Sequence, residues 1–128
     1  MGFFLLIISW ILTPVLELIS LFTVLWVKRK EYSFLKTVSE YFKFGAIDRD
    51  RFGNHNYKTA LNFWLSKDGY KFGNYIETIS SVLGKKGVEK SLNIFGWFFY
   101  YLLYALDYSN WKNGGHCFAS INNNISIK

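Results

Sequence analysis

One cysteine, one proline and one methionine are all that this 128-residue chain holds of those types. With a single thiol, Cys117, no intramolecular disulfide can form, which excludes a disulfide-stapled scaffold. Such cysteine usage suits a reducing compartment without requiring one. The one proline, Pro14, lies inside a hydrophobic run, so no Pro-rich linker divides the chain. No repeat with a period of about 20–50 residues is present, which excludes a solenoid. Acidic residues are also scarce, nine against fifteen basic, leaving a net charge of +6.

What the chain has in abundance is apolar and aromatic surface. Residues 3–27 read FFLLIISWILTPVLELISLFTVLWV, with Glu17 as the sole ionisable group, and Lys28-Arg29-Lys30 follows directly. A hydrocarbon core about 30 Å thick is crossed by roughly 20 helical residues. At about 1.5 Å per residue the run is long enough to span with tilt, or with a kink at Pro14. We therefore expect a single-span transmembrane helix over 3–27. No Lys or Arg precedes it and three follow, so the positive-inside rule places the N-terminus outside and the rest in the cytoplasm, at an inner membrane. A cleaved signal peptide would show a basic n-region, a shorter apolar core and small residues at a cleavage site, and none is seen.

On a helix, Ser9, Thr13, Glu17, Ser20 and Thr23 fall within a sector of about 120°. Polar groups at membrane depth normally face protein or water. Small hydroxyl residues on one face also favour close helix packing. The leading reading is a homo-oligomer seam; the alternatives are a pore lining, or hydroxyls bonded to their own helix with Glu17 reaching for the interface.

Beyond Lys28, fifteen basic residues face eight acidic ones. Next to a bilayer this charge attracts anionic lipid head groups, with Lys28, Arg29 and Lys30 nearest the surface. The basic residues form no Arg-rich stripe, which ranks nucleic acid well behind lipid. Residues 31–44 alternate apolar and charged positions as an interfacial amphipathic helix does, with Gly45 as its stop. Residues 46–57, AIDRDRFGNHNY, read as a polar turn region. A helix is expected over Tyr57–Ser66, and the Lys67-Asp68-Gly69 turn leaves a two-stranded ribbon as an alternative. Asn74 and Glu77 have capping-box spacing, which opens a helix running to about Leu83 and ending at Gly84. Ile94–Leu106 is an unbroken apolar run, too short to cross a bilayer alone, so it is buried or interfacial, with a second span as the alternative. Residues 122–128 read as a disordered tail. The expected architecture is all-α: transmembrane helix 3–27, basic stop and interfacial helix 28–45, and a small aromatic-rich helical domain over 46–121 at the membrane surface.

The stretch Gly73-Asn74-Tyr75-Ile76-Glu77-Thr78-Ile79-Ser80-Ser81, followed by Gly84-Lys85, resembles a signature of small uncharacterised proteins from tailed phages and prophages. That signature has Gly, Asp or Asn, then Pro-Asp-Glu-Thr-Ile-Ser-Ser. Asp48 and Asn54 match upstream, and Leu106-Asp107, His116-Cys117 and Ser120-Ile121 match downstream. Tyr75-Ile76 stands where those proteins have Pro-Asp, so one carboxylate of the motif is absent. The loop between Asp107 and His116 is longer than usual. The resemblance implies a viral origin and action in or on a bacterial host.

Within the matched motifs the candidates for chemistry are Asp48, Glu77, Ser80, Ser81, His116 and Cys117. Structural zinc sites take four ligands in characteristic pairs, and a lone His-Cys is not one. A thiol nucleophile needs a histidine in contact, for which His55 is the better placed partner of Cys117. In the plain reading Glu77 is a helix cap and Cys117 a buried small apolar residue. No phosphate-binding glycine loop and no cofactor motif is present. The sequence thus points to a non-enzymatic phage membrane protein acting on the host envelope, in lysis or superinfection exclusion. A membrane-tethered enzyme or metal-binding protein using Glu77, His116 and Cys117 is the rival.

Overall fold

The computed structural model describes residues 1–125. Within them the chain is helical, with no strand; the run before the Lys67-Asp68-Gly69 turn is helix and forms no hairpin across it, and an isolated antiparallel bridge joins Ser66 to the distant Leu92. Contacts divide the chain into two units, Met1–Gly45 and Ala46–Lys128.

The first unit holds α1 (Gly2–Lys28) and the opening turns of α2 (Phe34–Asn56). α1 is long and apolar enough to cross a membrane, with a mean hydropathy of 2.2 over its most apolar window and none of that window buried in the chain. Pro14 is accommodated inside it without a break. The chain reverses after Lys28, and α2 folds back so that the Tyr41 hydroxyl donates to the Glu17 carbonyl at 3.0 Å. Glu17, Leu21, Val24 and Leu25 lie on one face of α1 and are its half-buried residues, while in α2 Thr37 is buried and Val38 and Tyr41 are half-buried.

α2 does not stop at Gly45. It stays helical through residues 46–56, where the sequence reads as turns. A mid-helix glycine costs only about 1 kcal/mol, and side chains later in α2, described below, fix it to the rest of the second unit.

In the second unit α3 (Lys58–Leu65), α4 (Ile79–Glu89), α5 (Ile94–Leu106), a 3₁₀ turn (Tyr108–Asn113) and the short α6 (His116–Ala119) surround one core. Leu65, Phe72, Val82, Leu83, Leu92 and Cys117 are buried there, with Leu61, Tyr70, Ile79, Trp97, Tyr100 and Leu103 packed against them. α4 makes its most extensive contact with α6. A Cβ at Gly84 would collide with the Cys117 carbonyl, so this glycine sets the close approach of the two helices. It does not end α4, which runs five residues further to Glu89 and closes on Lys90 in the left-handed conformation at φ 56°.

The cap of α4 also differs from expectation. Thr78 is the N-cap, its hydroxyl accepting from Ser81 N at 3.1 Å. Asn74 instead closes a local turn, its side-chain oxygen accepting from Ile76 N at 3.2 Å. The chain after α6, expected to be disordered, is held as far as Ile125: Asn122 N donates to Ser81 Oγ at 2.9 Å and Lys85 Nζ to the Ile125 carbonyl at 2.8 Å. Residues 126–128 of that expected tail lie outside the described residues.

Candidate functional site

The polar residues of the second unit converge on the first two turns of α4. Asp50 and Asn54, one turn apart on α2, reach it from one side. Asp50 Oδ1 accepts from Ile79 N at 3.0 Å, and its Oδ2 accepts from Ser80 Oγ at 2.7 Å and, at 3.5 Å, from Ser80 N. A carboxylate thus sits on the free amides at a helix start, where the backbone dipole favours it. Asn54, wholly buried, donates to the carbonyls of Asn74 and Glu77 at 2.9 and 2.8 Å and accepts from Gly73 N at 3.1 Å.

Glu77 is the hub. Its Oε1 accepts from Ser81 Oγ at 2.6 Å and pairs with Lys85 Nζ at 2.7 Å, while Oε2 accepts from the Tyr70 hydroxyl at 2.5 Å. Lys85 also lies over the Tyr70 ring, 4.5 Å from its centroid. Burial, and then the hydrogen bond to Glu77, hold the Tyr70 phenol well above its ordinary range. Lys86 is fully buried and donates to the carbonyls of Asp68 and Tyr70 at 2.5 and 2.9 Å. Desolvation lowers its pKa.

On the other side of α4, His116 Nε2 lies 3.2 Å from Ser80 Oγ and Nδ1 lies 2.6 Å from Asp107 Oδ2. Asp107 also accepts from Ser109 Oγ at 2.6 Å and Asn110 Nδ2 at 2.7 Å. These hydrogen bonds, Ser109 first, then Asn110 and His116, hold its carboxyl below the usual carboxylate range.

Ser80, His116 and Asp107 thus stand in the contact order of a nucleophile, base and orienting acid. Three features keep that order from working as such. The Ser80 hydroxyl proton is committed to Asp50, so His116 Nε2 meets an acceptor. The Ile79 and Ser80 amides, which could stabilise an oxyanion, already serve Asp50. Ser80 is buried, and the open cavity of about 540 Å³ nearby is lined by Arg51, Ile76, Thr78, Ile121 and Asn122–Asn124 among others, not by Ser80, His116 or Glu77.

The residues singled out in the sequence are therefore scattered in role. Asp48 is 75% exposed and faces Arg51 at 3.7 Å, outside the network. Its place is taken by Asp50. Glu77 is an ion-pair hub rather than a cap reaching back to Asn74. Cys117 is buried beneath α4, and burial, followed by the charge of Asp50, pushes its thiol up to about 12. His55 turns away, to the Gly73 carbonyl at 3.0 Å and the Tyr75 ring. Among the described residues no three of His, Cys, Asp or Glu gather as a metal-ligand set.

In α1, Thr13 and Thr23 donate to the carbonyls of Ser9 and Ile19 in their own helix, each at 2.7 Å. Of the polar stripe, Glu17 is half-buried, and Ser9, Thr13, Ser20 and Thr23 are exposed. Asp50, Tyr70, Lys85 and Lys86 were missed in the sequence. The signal for Asp50 was its spacing of four from Asn54, which counts only once 46–56 is known to be helical. Comparison with protein-family models, with curated proteins and with solved structures finds no match.

Proposed function

We propose that this chain is a phage-encoded, single-pass membrane protein that acts on the host envelope without catalysing a reaction, by assisting lysis or by blocking a second infection. The observation that carries the membrane assignment is α1, 27 residues long, with Glu17 and the terminal Lys28 as its charged side chains and no residue buried in the chain. Lys28, Arg29 and Lys30 form the basic stop on its cytoplasmic side and meet anionic head groups. The N-terminus lies outside the inner membrane and the second unit inside the cell. The phage origin rests on the resemblance around Gly73–Lys85 and His116–Ile121. The non-catalytic role is supported by the state of the reactive groups, since Glu77, Ser80 and Cys117 are all buried. Self-association runs along the exposed hydroxyls of α1 with Glu17.

Expression in a bacterial host, with growth, membrane potential and phage plating followed together, tests this reading. Collapse of potential identifies permeabilisation; resistance to phage without toxicity identifies exclusion. If neither occurs, and a His116→Ala, Cys117→Ala double variant at normal abundance loses its biological effect, the enzyme or metal-binding reading replaces it.

A further inference from the structure

The helix α5 is apolar all round, unlike the surface helix of a water-soluble domain. Its inward side carries Gly96, Trp97, Tyr100 and Leu103, toward the core. Its outward side carries Ile94, Phe95, Phe98, Phe99, Leu102 and Leu106, each at least 41% exposed. Tyr101 is the one polar tip on that side, and no residue from 94 to 106 is charged. A surface helix in water is apolar only on its inward side and polar on its outward one. The face continues onto α3, where Phe63 and Trp64 are exposed and the Trp64 ring meets that of Phe95 at 6.2 Å. A contiguous apolar patch of this kind marks an interaction surface.

We infer that the outward face of α5, with Phe63 and Trp64 of α3, docks in the head-group and upper acyl zone of an anionic bilayer. This rests on the reading of α1 as the membrane anchor, which keeps the face near lipid. At about 1.5 Å per residue, thirteen residues reach roughly 20 Å, short of the hydrocarbon core, so α5 lies along the bilayer and does not cross it. Exposed Lys58, Lys67, Lys90 and Lys112 flank α3 and α5 in sequence, with exposed Asp68 and Glu89 beside Lys67 and Lys90, and residues 46–128 carry ten basic groups against six acidic ones. That basic surplus on a unit with an apolar aromatic face complements anionic head groups. The same surplus disfavours a second copy of this chain as occupant, because two units of like net charge would be brought together.

The test uses the full chain reconstituted in vesicles of phosphatidylcholine with a minority of phosphatidylglycerol. Cys117 is buried, so a cysteine introduced at an exposed position is the one that takes a nitroxide label. Labels are placed in separate variants at Phe98, at Tyr75 outside the patch, and at Leu12 in α1, all exposed. Collision with oxygen reports lipid, and collision with a water-soluble nickel complex reports water. The expected result is oxygen accessibility several-fold above nickel accessibility at 98, and the reverse at 75. Nickel accessibility at 98 equal to that at 75 overturns the docking. So does low accessibility to both reagents with spin–spin broadening, which identifies a second copy. The label at 12 separates the two readings: lipid at 12 with water at 98 refutes the docking alone, and water at 12 refutes the anchor.

Discussion

Glu77 and Lys85 pair at 2.7 Å with side chains 0% and 3% exposed, inside a domain whose apolar core is small. The pair is fully dressed: Ser81 and Tyr70 donate to the carboxylate, and the Ile125 carbonyl takes a further proton of the ammonium. Removing one partner from such a pair strands a buried charge, at about 3–5 kcal/mol. Lys85→Met should therefore cost several kcal/mol in denaturant unfolding of the reconstituted chain, and Glu77→Gln a comparable amount. A double variant markedly less destabilised than the sum of the two would show the coupling; strict additivity would contradict it.

Ser80 and Cys117 should be chemically silent. The Ser80 hydroxyl is tied to Asp50, and the Cys117 thiol, pushed up to about 12, carries almost no thiolate at neutral pH. A fluorophosphonate probe should leave the folded chain unlabelled, and maleimide should react with Cys117 only after unfolding. Ser80→Ala should cost about 1–2 kcal/mol of stability through its lost hydrogen bonds. Stoichiometric fluorophosphonate labelling that Ser80→Ala abolishes would overturn this view.

Asp107 sets an acid limb. Its carboxyl is held below its ordinary value of 3.8 by Ser109, Asn110 and His116, so the folded chain binds fewer protons there than the unfolded chain. That contribution is fully present above the unfolded value and is lost as pH falls through and below it. The thermal stability of the wild-type chain should fall on acidification below about pH 4, and Asp107→Asn should be less stable at neutral pH with a flatter acid dependence. The same acid slope in both proteins would contradict the assignment.

In α1 the expectation concerns Glu17. Interhelical polar contacts in membranes contribute about 0.6–2 kcal/mol each. Glu17→Leu should accordingly shift the monomer–oligomer balance without preventing insertion, read by crosslinking of single cysteines at Thr13, on the stripe, and Leu16, off it. Crosslinking equal at both positions would remove the seam.

The apolar run, the all-helical character and the span of α5 were legible because each rests on a long, unbroken hydrophobic pattern. The site was legible only in part. Glu77, Ser80, His116 and Cys117 stood out as reactive types in a motif, yet the Ser80 hydroxyl and the Glu77 carbonyl are held by Asp50 and Asn54, partners supplied by α2. Those partners were hidden because Gly45, Gly53 and the polar letters between them read locally as turns. Tertiary hydrogen bonds from Asp50 and Asn54 outweigh that local preference. Glu77 shows the same limit: capping-box spacing was present, but Lys85, eight residues on, and Tyr70, seven residues back, offered its carboxylate stronger partners than the Asn74 amide.

The membrane anchor is the claim on which the rest depends, and cysteine accessibility in intact bacterial cells tests it most directly. Single cysteines at Phe3 and at Lys112, both exposed, are challenged with a membrane-impermeant maleimide. Labelling at 3 and protection at 112 until the cells are lysed, with the chain retained in membranes after alkaline carbonate, is the predicted result. Labelling at 112 from outside, or release of the chain by carbonate, would contradict the account.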